Sequence, residues 1–568
     1  MSAEDPGEFP DGGAATPGRT VRRDTAIMAA GTATSRALGL VRNAMLVAAI
    51  GVNASAANAF DVAQRIPHVL FAILASGVLN AVLVPQIVRA FARQGGKRTV
   101  DRILTLGGIM MLAVTLLFTA GAALLVSAFT SDWGPELTAL TVAFSLWCIP
   151  QLFFYGLYAL LGQVLNARSQ FGPYMWAPVV NNIIAIAGLG AFLAIFGPYA
   201  GGPAEADAAG LGEPWSPGKI ALLAGVATLG IAAQGLILIW PLIRGGYRWH
   251  WRWFGPPGEL AGVRRVAGWA LGAVLVEQVG VAWVSRVASA AAALGNNAPD
   301  VPGNAAYTNA LLLYLVPHSL VTVSIATALF TGMSRYAAAN DMAGLRTEIS
   351  RGLRSIAIFT IFASVALIAL APLAVRVALP SAHGPVVSTV AQVLVAMSLG
   401  LVPLGAMVLV KLVYFALEDG RSLFVIHIPM TITLVGVSLI GQQVLDFHWW
   451  VAGIGLAMAL SNIVAMTLRL GGLRKRLGGL DGRRIARTHL LALLAALPAL
   501  GVGLLLQSFA PDLSELPTPG GVSLAAALCL GIGFAMAVTY GIGLWAFRVT
   551  EWRDALAPIL RRLRIRVR

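Results

Sequence analysis

The chain has 568 residues, 58% hydrophobic and 11% charged, with a formal net charge of +15 and a mean hydropathy of +0.78. Soluble domains run near about 25% charged, so a soluble globular protein is excluded and an all-α polytopic membrane protein is indicated. The positive excess is not a nucleic-acid signal, because Lys and Arg gather in particular loops between apolar runs, which is the pattern of membrane topology. Cys148 and Cys529 lie in separate apolar runs and read as small core residues, not a disulfide or a metal site.

Residues 1–24, rich in Gly, Pro and Ala, read as a disordered cytoplasmic tail ending in Arg19, Arg22 and Arg23. They hold no apolar stretch of the kind a cleaved signal peptide needs. About fourteen apolar runs of spanning length follow: 25–50, 62–88, 103–129, 137–165, 174–197, 219–243, 264–294, 305–334, 353–379, 385–417, 422–443, 449–470, 488–508 and 521–547. The longest, such as 385–417, read as tilted or as extending past the bilayer. Even-numbered loops carry the basic residues: Arg89, Arg93, Lys97 and Arg98 in the second, Arg168 in the fourth, Arg244, Arg248 and Arg252 in the sixth, Arg335, Arg346 and Arg351 in the eighth, Arg421 in the tenth, and Arg474 to Arg476, Arg483 and Arg484 in the twelfth. Most odd-numbered loops have none, so the positive-inside rule places both termini in the cytoplasm. The odd loop 197–218, with Glu205, Asp207 and Glu213, reads as a flexible surface loop. Residues 548–568 read as a basic amphipathic cytoplasmic tail on the anionic leaflet, or as a solvated helix end.

The run 25–50 carries Arg36 and Arg42 well inside its length. An arginine at the centre of a spanning helix costs about 2.5–3.5 kcal/mol on insertion scales. Two of them indicate a wet interior face where an anionic ligand offsets the cost; the alternative is snorkelling, or pairing with backbone carbonyls. Ser35-Arg36 recurs as Ser285-Arg286, and Pro67-His68 recurs as Pro317-His318 at the same offset. The segment 166–171 is echoed by 419–424 at nearly that offset. These echoes indicate two parallel six-helix lobes, 25–243 and 244–472, with two further spans in 473–547, an architecture of secondary transporters. Arg286 then becomes the counterpart of Arg36 on the opposite lobe. Asn43, seven residues after Arg36, shares its helix face, whereas Arg42 lies about 240° around. Glu277 in the seventh span reads as a counter-ion, a proton or cation site, or a structural ion pair. His68 and His318 read as helix-end contacts, and Arg65 as a residue near the outer end of its span.

The run Ser35-Arg36-x-Leu38-Gly39-x-x-Arg42, followed by Ala59-Phe60, Ala63, Ile66-Pro67, Gly77 and Val84-Pro85, resembles the opening signature of the MurJ (MviN) family of bacterial lipid II flippases. Gly162, Leu165-Asn166-Ala167, Phe171, Pro178 and Asn182 are similar to the same family across the fourth and fifth spans, as are Lys411, Tyr414 and Asp419 around the tenth. The composition resembles that of actinobacterial chains. The resemblance implies a MATE-like fold of the multidrug/oligosaccharidyl-lipid/polysaccharide exporter superfamily, and transport of undecaprenyl-diphosphate-linked peptidoglycan precursor from inner to outer leaflet. It carries the signature serine onto Ser35 and the signature arginines onto Arg36 and Arg42. The chain departs from the pattern at Asn58, where an acidic residue is usual, at His68, at Phe71 and in 310–315; Arg286 is placed to supply positive charge in compensation.

Substrate binding is thus expected of Arg36, Arg42, Arg286, Ser35, Asn43 and Asn58, with Glu277 for counter-ion or coupling. No metal or cofactor is expected, since no ligand-spaced His cluster and no P-loop occur; coupling is to the membrane potential or a monovalent cation. The expected partners are lipid II, membrane lipids and cell-wall or division proteins. Three rivals remain open: a flippase for another polyprenyl-diphosphate-linked glycan, a non-transporting scaffold for cell-wall proteins, and a transferase acting on lipid-linked sugars. A cation-selective drug exporter fits less well, because it would favour buried acids over arginines.

Overall fold

The structure, a computed structural model, describes residues 17–75, 97–168, 170–199, 215–253, 264–382, 384–511 and 520–552, without the side chains of 17–29, 264–267 and 270. Most of the two expected tails, the centre of the fifth loop, and the signature residues Gly77, Val84 and Pro85 lie outside the described residues. Among the described residues the chain is helical, with no strand. It divides into two compact units, one ending at Ser289 and one beginning at Ala290.

In the first unit, α1 (Pro17–Ile50) begins earlier than the expected Thr25, with proline at its first position, where a preset φ favours helix and a missing N–H costs nothing. It stops at Gly51, whose φ of +76° suits a residue without Cβ. A Cβ there would lie 2.8 Å from the Tyr199 ring, and the Tyr199 amide donates to the Ala48 carbonyl at 2.8 Å. α2 (Ser55–Leu74) buries Val62, Ile66, Val69 and Leu70, one face of a helical repeat. α3 (Lys97–Ala120) and α4 (Ala122–Phe129) are separated at Gly121. α5 (Pro135–Cys148) and α6 (Gln151–Ala167) are separated at Ile149-Pro150. α7 (Phe171–Phe196), α8 (Pro217–Leu236), α9 (Ile239–Arg244) and α10 (Arg264–Leu294) complete the set. α7 packs along both α1 and α8, and α2 packs on α5.

The seventh span was expected in the second lobe, yet through Ser289 it belongs to the first unit. Val281 and Ala282 join the α2–α4 cluster, and Trp133 Nε1 donates to the Ser289 carbonyl at 3.1 Å.

The second unit holds α11 (Asn304–Pro317), a π turn over His318–Thr322, α12 (Val323–Ala338) and α13 (Met342–Ala378). α14 (Pro385–Ser398), α15 (Leu401–Ala416), α16 (Gly420–Val444) and α17 (Trp450–Arg476) follow. The last two helices, α18 (Gly482–Ser508) and α19 (Gly520–Ala546), pack on α13. Ala492, Ala495, Ala496 and Ala499 form their buried seam, small residues that let helices approach closely where no water drives association.

Eleven described helices are long and apolar enough to cross a membrane, or twelve if the bent pair α14–α15 is one span. α1 and α2 are not among them, against the expected fourteen. α1 carries Arg36 and Arg42, while α2 carries Asp61 and Arg65 and the description of its run stops at residue 75.

Candidate functional site

The α1–α7 seam is built on a close approach. Gly31 sits against the Met175 carbonyl and Trp176, both 3.1 Å from where a Cβ would stand. One turn later Asn182 Nδ2 donates to the Ser35 carbonyl at 2.9 Å and to Ser35 Oγ at 3.2 Å. This bond joins two residues of the family signature and fixes the rotation of α1 just where Arg36 leaves it. Arg36 is exposed; Arg42 and Asn43 are half-buried. Ser35 therefore anchors the helix to α7 while its neighbour points outward.

Arg42 lies within electrostatic range of Tyr155 and His68. The Tyr155 hydroxyl meets His68 Nε2 at 3.2 Å and donates to Gln151 Oε1 at 3.3 Å. Gln151 Nε2 donates to Thr228 Oγ1 at 3.0 Å, and the Thr228 hydroxyl donates to the Trp147 carbonyl at 2.6 Å. A polar line thus crosses α2, α6 and α8. His68, read from sequence as a helix-end contact, sits inside α2 and faces the Tyr155 ring at 5.0 Å. Gln151, Tyr155 and Thr228 escaped the sequence reading. Their signal was hydrogen-bonding side chains inside apolar runs, which in spanning helices bond across helices.

Other expected residues fall elsewhere. Arg286, half-buried, donates from Nη1 to the Ser127 carbonyl at 2.8 Å, so it caps the last turn of α4, where carbonyls lack helical partners. It does so within the unit that carries Arg36, not from an opposite lobe, because the end of α10 packs on α4. Asn58 is wholly buried in α2. Glu277 is exposed on α10 and forms no ion pair among the described residues. Nine residues at about 100° each put it half a turn from Arg286, which rules out their pairing along the helix. Arg65 pairs with Asp61 one turn earlier, half-buried.

Three buried arginines of the second unit were not singled out in the sequence. Arg376 donates to the Pro380 and Ala382 carbonyls, each at 2.7 Å. Arg469 donates to the Met407 carbonyl at 3.2 Å. Arg354 forms a buried ion pair with Glu551. An arginine in a spanning helix is thus satisfied by backbone or carboxylate at several places. Arg36 differs in being exposed, on the helix face it shares with Asn43, while Arg42 lies about 240° around the same helix. Guanidinium forks suit phosphate oxygens and keep their charge at any depth. Among the described residues no group of three or more His, Cys, Asp or Glu stands together to hold a metal ion.

A family model described as lipid II flippase MurJ matches residues 46–515, beginning after Ser35, Arg36, Arg42 and Asn43. A Synechocystis sp. protein named probable lipid II flippase MurJ is 27% identical over 476 residues, 82% of this chain and 83% of the relative. A Rhizobium meliloti protein of the same name is 25% identical over 446 residues, 75% of each chain. Among solved structures, a lipid II flippase MurJ in an inward closed conformation aligns with a TM-score of 0.69 at 18% identity, over 93% of this chain and 99% of that one. An inward-facing multidrug resistance MATE family transporter of the MOP superfamily aligns with a TM-score of 0.60 at 16% identity, over 78% and 94%. The fold is therefore the MATE-like one, and the chain, a multi-pass membrane protein, belongs to the lipid II flippase MurJ family.

Proposed function

We propose that this chain carries lipid II, the undecaprenyl-diphosphate-linked peptidoglycan precursor, from the inner to the outer leaflet of the bacterial cytoplasmic membrane by alternating access, with both termini cytoplasmic. Family membership supports this reading. The observation that carries it is an exposed Arg36 on a helix held in rotation by the Asn182–Ser35 bond.

A diphosphate bears about two negative charges, and charge taken into hydrocarbon must be paired to be tolerated. In this reading Arg36 and Arg42 pair with the phosphate oxygens and Asn43 adds a neutral donor. Ser35 and Asn182 set the angle of α1, Arg286 holds α4 against α10, and Asn58 shapes the buried face of α2. The emptied carrier keeps its guanidinium charge in the membrane. An inside-negative potential acts on it with about 2.3 kcal/mol per charge per 100 mV, which returns it to the inward state without nucleotide. Glu277 is the acid available to a coupling cation.

The test is complementation of a strain depleted of its own lipid II flippase, scored by labelling of lipid II in the outer leaflet. Wild type restores labelling; Arg36→Ala reaches the membrane at normal level and does not. Undiminished labelling with Arg36→Ala overturns the site. Failure of the wild-type chain to restore lipid II while it restores another polyprenyl-diphosphate glycan reassigns the substrate.

A further inference from the structure

The sixth loop contains Tyr247-Arg248-Trp249-His250-Trp251-Arg252-Trp253, an alternation of aromatic and basic side chains that sorting loops by charge alone does not reveal. It follows directly on the candidate span that ends at Arg244, so it lies at the level of a bilayer surface. The Arg244 guanidinium itself sits 4.0 Å from the Trp240 ring centroid.

The segment is not helical, yet it is fixed to the body of the first unit. Buried Tyr247 donates its hydroxyl to Asp101 Oδ1 at 2.6 Å. Trp249 Nε1 donates to the Asp101 carbonyl at 3.3 Å and to Thr105 Oγ1 at 3.2 Å. The Arg252 amide donates to Thr105 Oγ1 at 3.3 Å. Asp101 is itself 2% exposed, so the anchor is desolvated and strong. Burial, then the neighbouring Asp101 carboxylate, pushes the Tyr247 hydroxyl up from its ordinary range, which keeps it a donor. Arg168 adds a bond from its guanidinium to the Gly245 carbonyl.

What this anchor presents is apolar and basic. Trp249, Trp251 and Trp253 are 47%, 56% and 50% exposed. Their rings meet at 5.5 and 5.7 Å, as side chains two apart do on one face of extended backbone. Arg248 and Arg252, which flank the Trp249–Trp251 stretch in the chain, are also exposed. Three half-exposed indoles, the first pinned through its N–H to Asp101 and Thr105, are costly in water unless an amphipathic layer covers them. Tryptophan settles at the headgroup level of a membrane, and an arginine near an anionic surface is drawn to the lipid phosphates there.

We propose that residues 247–253 form a preorganised strap that seats on the anionic phospholipid headgroups of the leaflet facing the basic loops. The tryptophans enter the interface, and Arg248 and Arg252 engage lipid phosphates. This goes beyond transport of a lipid-linked glycan: it is a site for the surrounding membrane itself, independent of Arg36.

The test uses the full chain in nanodiscs of phosphatidylcholine, alone or mixed equally with phosphatidylglycerol, with a spin-labelled lipid quenching tryptophan fluorescence. The signal of the three indoles is the difference between wild type and W249F/W251F/W253F, or the single variant W251F if the triple variant does not insert. A label near the headgroup should quench it several-fold more than a label at the chain end. Phosphatidylglycerol should raise that quenching in wild type and in the control R483Q/R484Q, and not in R248Q/R252Q. Indoles reached by water-soluble iodide but by neither lipid label would mean a surface for solvent or a protein partner, and would overturn the proposal. A response to phosphatidylglycerol that survives R248Q/R252Q would overturn the phosphate contact.

Discussion

Ser35-Arg36 and Ser285-Arg286 are the same dipeptide in the sequence and different devices in the structure. Ser35 is half-buried and bonded by Asn182, and Arg36 is exposed. Ser285 is wholly buried, and Arg286 donates to the Ser127 carbonyl. A hydrogen bond to a charged group contributes about 1.5–3 kcal/mol. Arg286→Ala should therefore lower the thermal unfolding midpoint in detergent by more than Arg36→Ala, the variant expected to lose transport. Equal midpoints for the two variants would remove the capping role. The arginines were legible because charge is rare in apolar runs. Which of them is spent on a carbonyl was not, because a repeat marks equivalent chain positions and says nothing of the helix that each meets. Arg376 and Arg469 escaped notice for the complementary reason: their partners are backbone carbonyls, which no residue type announces.

Apolar runs locate helices but not the direction of their axes. The run 385–417 reads as one long span, and the chain bends there by 50° between α14 and α15. Gly400 occupies the break, where a Cβ would stand 2.8 Å from the Ala459 Cα, and Pro403 follows two helical positions later without an N–H to give. The docking of α18 and α19 on α13 was equally silent, since an alanine seam has the same hydropathy as a lipid-facing surface. One charged contact fixes it. Glu551, just beyond α19, pairs with Arg354 of α13, with side chains 7% and 8% exposed. Removing one member of a buried pair costs about 3–5 kcal/mol, whereas replacing both by apolar residues is often neutral. Glu551→Gln should thus destabilise the chain markedly in chemical unfolding, and Arg354→Met combined with Glu551→Met should recover much of the loss. A double variant as weak as the single one would show that the pair is not what holds this end.

At the scale of the whole chain, the alternation of loop charge has a geometric counterpart inside each unit. In the first, Tyr247 of the sixth loop reaches Asp101 of the second, and Arg168 of the fourth reaches Gly245 of the sixth. Tyr199 of the fifth loop meets Gly51 of the first. In the second unit, Arg476 of the twelfth loop pairs with Asp419 of the tenth at 2.8 Å. His448 of the eleventh lies 3.7 Å from Asp300 of the seventh. Among the described residues these contacts join even-numbered loops to even ones and odd to odd, the pattern expected if each intervening run crosses the bilayer once; a missed or surplus span between two contacting loops would bring opposite parities together. In the proposed orientation the basic, even-numbered set faces the cytoplasm, because basic loops resist translocation. The two native cysteines give a membrane-impermeant maleimide little to label, one being buried and the other half-buried within spans. In intact cells Asp300→Cys should therefore label at once and Arg421→Cys only after permeabilisation. The reverse order would invert the chain and overturn the proposed cytoplasmic termini. Labelling of both in intact cells would break the parity on which the span order rests.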